Sequence, residues 1–118
     1  MIRADRSRLP ALGPEPRFSF PAIRKQRLAN GLDVWTVEHR ELPVLTLLLL
    51  VPWGSAADPP HRPGLASLTG DMLDEGSGHR SAIDLHDALA RIGAEFDTEV
   101  GADASVLTLT TLARFRDR

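Results

Sequence analysis

The sequence contains no cysteine, which removes disulfide frameworks, thiol nucleophiles and thiolate metal sites from consideration. It has no basic surplus either: 14 Lys and Arg stand against 16 Asp and Glu, a net charge of −2. Nucleic-acid binders normally show a basic excess or stripe, so no nucleic-acid partner is expected. Long apolar runs are missing. The longest, Leu47-Leu48-Leu49-Leu50-Val51, falls far short of the roughly 20 residues that a membrane-spanning helix needs. Behind the positively charged start Met1-Ile2-Arg3-Ala4-Asp5-Arg6-Ser7-Arg8 there is no apolar segment of the kind a secretory signal requires. The expected compartment is therefore the cytoplasm, or the periplasm if the start is misassigned, with no membrane association. What is present is ordinary for a folded unit: 118 residues, 42% hydrophobic and 25% charged, matching the size and composition of one globular domain.

Residues 1–22 hold Pro10, Pro14, Pro16 and Pro21. That density removes backbone donors and fixes φ, which predicts a proline-rich extended arm. The folded part is expected over 23–118. Gln26-Arg27-Leu28 and Leu32-Asp33-Val34-Trp35-Thr36-Val37 flank Asn30-Gly31, the pattern of a β-hairpin. Pro43 to Val51 is almost continuously apolar, which reads as a strand buried on both faces at the centre of a sheet. Pro52, Gly54, Asp58, Pro59, Pro60, Pro63 and Gly64 then make a loop.

Leu65, Leu68, Met72 and Leu73 fall at helical spacing, and Gly76-Ser77-Gly78 stops that helix. Ser81 with Asp84 resembles a capping box. It opens a second helix with the stripe Ile83, Leu85, Ala88, Leu89 and Ile92, closed by Gly93. Phe96, Thr98 and Val100 alternate with Glu95, Asp97 and Glu99, as on a half-buried strand. Val106 to Leu112 alternates again and pairs with it as a hairpin through Gly101-Ala102-Asp103. The order ββ, β, αα, ββ predicts an α+β fold, a mostly antiparallel sheet with helices packed on one face. Leu112 and Phe115 begin an amphipathic helical pattern. A helix cut after a turn or two does not hold itself in water, so the chain reads as the front part of a larger protein.

The polar residues offer little chemistry on their own. His39, His61, His79 and His86 form no i, i+3 or i, i+4 pair, so no helical histidine pair grips a metal. The serines lack a G-x-S-x-G context and the glycines no phosphate cradle. Asp71, Asp74, Glu75 and His79 form the richest cluster. Carboxylates with an imidazole suit a divalent cation in principle. Against this, negative charge at a helix C-terminus is disfavoured by the helix dipole, and acidic helix faces are ordinarily just solvated.

Taken in order, seven segments carry a family pattern. They are Leu28-Ala29-Asn30-Gly31-Leu32-Asp33-Val34, Pro43-Val44, Gly54-Ser55-Ala56-Ala57-Asp58, Gly64-Leu65-Ala66, Met72-Leu73-Asp74-Glu75-Gly76-Ser77, Ile92-Gly93-Ala94 and the strand closing at Asp103. In this register the sequence resembles the front of a pitrilysin/insulinase-type zinc metallopeptidase domain. The resemblance implies an H-x-x-E-H motif directly after Gly64-Leu65-Ala66, with two zinc-binding histidines and a glutamate acting as general base on zinc-bound water. Here those three positions hold Ser67, Gly70 and Asp71. The family's third ligand, a glutamate on a later helix, would lie beyond Arg118. No catalytic residue, no metal ligand set and no cofactor is therefore expected, although the family uses zinc.

The resemblance also implies that the strand Gly93 to Gly101 is the edge to which an extended peptide adds. That places Asp97, Thr98 and Glu99 as peptide-binding residues, with Asp97-Thr98 standing where active members usually carry Asn-Ala. The expected role is a non-catalytic member that supports peptide binding or hydrolysis beside a zinc-bearing family member, its heterodimer partner. Two alternatives stand beside it: a metal-dependent peptidase with a displaced site at Asp71, Asp74, Glu75 and His79, and a plain protein-interaction module.

Overall fold

The computed structural model describes residues 13–117. Of the arm expected over 1–22, residues 1–12 lie outside the described residues, and residues 13–22 form neither helix nor strand. The chain divides into two compact units, 1–39 and 40–118.

The first unit is a hairpin of β1 (Ile23–Arg27) and β2 (Asp33–Val37), antiparallel with Ile23 opposite Val37 and Arg27 opposite Asp33. Asn30-Gly31 makes its turn, as the sequence predicts: the Leu32 amide donates to Asn30 Oδ1 at 3.1 Å and the Gly31 amide to the Leu28 carbonyl at 2.9 Å. The opposed pair Arg27 and Asp33 closes a two-pronged ion pair at 2.8 Å on each prong. That hydrogen bond raises the Arg27 pKa further above its ordinary value. Lys25 lies over the Trp35 ring, 3.8 Å from its centroid.

The second unit holds the rest. Its elements are β3 (Val44–Val51), a 3₁₀ turn (Ser55–Ala57), α1 (Leu65–Asp71), β4 (Gly76–Ser77), β5 (Arg80–Ser81), α2 (Ala82–Arg91), β6 (Glu95–Val100), β7 (Ser105–Leu112) and a closing 3₁₀ turn (Ala113–Phe115). The helical pattern read at Leu112 and Phe115 resolves into a strand end and that single turn. The main sheet is antiparallel in the order β3-β7-β6, and β4 and β5 pair as a separate short hairpin. The architecture is α+β.

Register assigns the two faces of this sheet. Phe96, Thr98 and Val100 of β6 lie opposite Leu109, Leu107 and Ser105 of β7, which lie opposite Leu47, Leu49 and Val51 of β3. Both helices sit on this face. Gly70 of α1 faces Thr98 and Val100, and the Thr111 hydroxyl of β7 donates to the Ile92 carbonyl beyond α2 at 3.3 Å. The other face runs from Glu95, Asp97 and Glu99 through Val106, Thr108 and Thr110 to Thr46, Leu48 and Leu50.

Helix α2 is built as its sequence predicts. Ser81 and Asp84 form a complete capping box. At the other end the Gly93 amide bonds Ala90 and the Ala94 amide bonds Leu89, the Schellman arrangement. Leu85, Ala88, Leu89 and Ile92 are half-buried. Ile83 is not: it is 75% exposed.

The apolar run of β3 requires a correction. It is an edge strand, not the centre of the sheet, and Leu47 to Leu50 are between 46% and 64% exposed. The central place goes to β7, whose eight residues pair with all eight of β3 on one side and with β6 on the other. Continuous apolarity fits a strand to non-polar surroundings on both faces. It does not determine which neighbour pairs with its edges. Among the described residues only Gly54, Ala66, Gly70 and Thr111 are buried, so the apolar faces of this sheet are largely open.

Candidate functional site

The candidate site is built around α1 and β6, and its geometry starts in the loop ahead of α1. The Ser55 and Ala56 amides donate to the Gly101 and Ala102 carbonyls of the β6–β7 turn, both at 2.9 Å. This docks the 3₁₀ turn on the end of the sheet. Asp58, at its exit, turns its carboxylate onto the start of α1: Oδ2 accepts from the Gly64 amide at 2.7 Å and Oδ1 from the Ala66 amide at 2.9 Å. Two of the orphan donors of the first turn are thus satisfied by one side chain, with its negative charge at the positive end of the helix. Gly64 takes φ of +87°, a left-handed conformation that favours glycine. The Gly54…Asp58…Gly64 spacing therefore places and caps α1.

Ser67, Gly70 and Asp71 then share one side of α1 by their i, i+3, i+4 spacing. Ser67 and Asp71 are exposed and Gly70 is buried against β6. Beside Gly70 and Asp71 opens a cleft of about 330 Å³, also lined by Asp74, Glu75, Phe96, Asp97 and Thr98. The structure thus brings Asp71, Asp74 and Glu75 of the expected cluster together with Asp97 of the edge strand. It does not bring His79, which lies in the turn between β4 and β5. Asp74 and Glu75 are also past the end of α1, which stops at Asp71 rather than running on to Met72 and Leu73. The helix tightens there: the Leu73 amide bonds Gly70, three residues back, at 3.2 Å. An unforeseen histidine approaches instead, with His86 Nε2 of α2 lying 3.5 Å from Asp74 Oδ2.

Zinc does not fit these residues. The positions of the family motif offer a hydroxyl at Ser67, no side chain at Gly70 and one carboxylate at Asp71, where about three protein ligands are needed. Among the described residues no group of three or more His, Asp or Glu converges for a metal ion. The displaced set Asp71, Asp74, Glu75 and His79 is accordingly not assembled.

Strand β6 forms the other wall. In the order β3-β7-β6 it has one neighbour among the described residues, so half of its backbone donors and acceptors face away from β7. Glu95, Asp97 and Glu99 are exposed, whereas Phe96, Thr98 and Val100 are half-buried. Thr98 Oγ1 is buried without a hydrogen-bond partner. Behind α1 lies a second, apolar cavity of about 350 Å³, walled by Val51, Trp53, Leu65, Leu73, Thr98 and Leu107 among others. The roles of Asp58 as helix cap and of Gly70 as contact residue are missed by sequence reasoning. An aspartate six residues before a Gly-Leu-Ala helix start was the available signal for the first; the second has none, since it depends on a strand 28 residues downstream (98 minus 70).

No family model matches this chain, and no curated protein matches it. Solved structures do. A peptidase M16 inactive domain from Pseudomonas fluorescens is similar at 33% identity with a TM-score of 0.73, over 78% of this chain and 22% of that one. The periplasmic protease PqqL from Escherichia coli is similar at a TM-score of 0.68 and 15% identity, over 86% of this chain and 12% of that one; at that identity the likeness is one of fold. The chain spans about a fifth of the first structure and about an eighth of the second. No helix among the described residues is long and apolar enough to cross a membrane.

Proposed function

We propose that this chain, a pitrilysin/insulinase-type (peptidase M16) homologue in which the zinc motif is replaced, serves as a non-catalytic element that presents a strand edge to extended peptides beside a zinc-bearing family member. The observation that carries this reading is the contrast on α1. Its supports, Gly54, Asp58 and Gly64, are in place and bonded, while Ser67, Gly70 and Asp71 supply no imidazole and leave the general-base position without a side chain. Positioning is kept where chemistry is lost. The Pseudomonas fluorescens structure, itself an inactive domain, is in keeping with this.

Asp97, Thr98 and Glu99 are the proposed peptide-contacting residues. An added strand bonds to the outward backbone groups of β6, so affinity comes from main chain and preference from side chains. With Glu95, Asp97 and Glu99 on β6 and Asp71, Asp74 and Glu75 across the cleft, a peptide bearing Lys or Arg is favoured over an acidic one, and added salt weakens the preference.

The test uses the intact protein with a purified zinc-bearing M16 partner and a quenched fluorescent peptide. Alone, the protein should hold well under one zinc per chain after dialysis and cleave nothing. Added to the partner, it should raise the partner's rate or lower its KM for the peptide. Chelator-sensitive cleavage by the protein alone refutes the reading. No effect on the partner favours the plain interaction module.

A further inference from the structure

Gly70 is a point of close approach between α1 and β6. A Cβ added there would stand 2.9 Å from Val100 Cγ2 and 3.0 Å from Thr98 Cγ2. Both obstacles are methyls of β-branched side chains, which are stiff at χ1, and both project from a strand held in register by β7. They are not the loose ends of long side chains that swing aside. The Thr98 hydroxyl has no partner, so no hydrogen bond accounts for a threonine here. Its methyl fills the space beside Gly70.

We infer that Thr98 and Val100 seal the general-base position, so that a side chain at position 70 is excluded by packing and not merely missing from the sequence. Writing His, Glu and His back into positions 67, 70 and 71 therefore does not rebuild the motif helix unless β6 is trimmed with it. The meaning of this seal rests on the non-catalytic reading above, but its test rests on packing alone.

The sign of one substitution separates the seal from an ordinary helical glycine. Alanine is the better helix former, so Gly70→Ala in open space raises stability; against Thr98 and Val100 it lowers it. Thermal unfolding of the full chain, followed by far-UV circular dichroism, is measured for the parent, for Gly70→Ala, for Thr98→Ala/Val100→Ala, and for the triple combination. The expected result is a midpoint several degrees lower for Gly70→Ala in the parent, and no such loss when the same change is made in the trimmed background. The grafted motif Ser67→His/Gly70→Glu/Asp71→His should follow suit, with a midpoint that recovers on trimming. If Gly70→Ala fails to fold, its recovery in the trimmed background supports the seal. A rise in midpoint in the parent, an equal loss in both backgrounds, or no recovery on trimming overturns it. None of these outcomes depends on whether the protein stimulates a zinc-bearing partner, so the two readings fail separately.

Discussion

Replacing Gly54 by alanine should be among the most damaging single changes available in this chain. Gly54 is buried, and its φ of −135° and ψ of −168° are extended values that any residue adopts. Space is the whole issue. A Cβ there would stand 2.4 Å from the Gly101 carbonyl oxygen, 2.5 Å from that of Ala102 and 2.6 Å from the Ala102 carbonyl carbon. All three are backbone atoms of the β6–β7 turn and have no rotamer to escape into. Ordinary contact needs about 3.5 Å, so the two segments must part by roughly 1 Å. Parting breaks the Ser55–Gly101 and Ala56–Ala102 hydrogen bonds and stretches the 2.7 Å bond from the Ser105 hydroxyl to the Trp53 carbonyl.

Two hydrogen bonds at ~1 kcal/mol each with overpacking strain of about 1–3 kcal/mol give a loss of about 3–5 kcal/mol. Against a total stability of roughly 5–15 kcal/mol for an ordinary domain, most of the margin goes. The assay is urea unfolding by far-UV circular dichroism, with Gly13→Ala as the matched control because nothing lies within 4 Å of that Cβ. A Gly54→Ala protein within ~1 kcal/mol of the parent, the range of an unremarkable substitution, would refute the argument.

Two further changes act on helix starts. Asp58→Ala removes both acceptors of the α1 cap and should cost about 1–2 kcal/mol; amide exchange at Gly64 and Ala66 should speed up, and unchanged exchange counts against the cap. At α2, the Ser81 hydroxyl and backbone amide bond the Asp84 carboxylate and hold its pKa below the ordinary aspartate value, Arg80 adding a smaller pull and slight desolvation opposing. A depressed folded pKa means that this support is complete above the unfolded aspartate value and is lost as pH falls through the folded one. Ser81→Ala should move the Asp84 carboxyl titration upward in an NMR experiment, and an unmoved titration rejects the box as its cause.

How much of this was readable beforehand depended on whether a feature is local. The Asn30-Gly31 hairpin, the Ser81–Asp84 box, the Gly93 cap and the alternation of β6 each depend on residues a few positions apart, and each formed as expected. The position of β3 in its sheet is a topological fact about β7, some 60 residues later, and the apolar run Leu47–Val51 carries no trace of it. The end of α1 falls between these cases. Met72 and Leu73 have helical spacing, but the chain must turn within four residues to form β4, and the last helical turn tightens to do so. At the candidate site, the replacement of the family's motif residues was visible in three letters, Ser67, Gly70 and Asp71. The cleft between Asp71 and Asp97 and the approach of His86 to Asp74 were not, since both follow from how α1 and α2 seat on the sheet.

That seating is built from residues outside positions 67, 70 and 71. The residues that place α1 are not the residues that would catalyse on it. Its first turn is held from outside by Asp58 and by the conformation of Gly64, and its approach to the sheet is set ahead of it by Gly54 against Gly101 and Ala102. Imidazoles at 67 and 71 would project from exposed positions of α1, so their loss leaves no buried group unpaired. Position 70 differs, because it faces β6, and a protein interior does not leave the space between helix and strand empty without cost. Thr98 and Val100 occupy it. A side chain at 70 is therefore opposed by the strand, whereas the exposed positions 67 and 71 carry no such constraint.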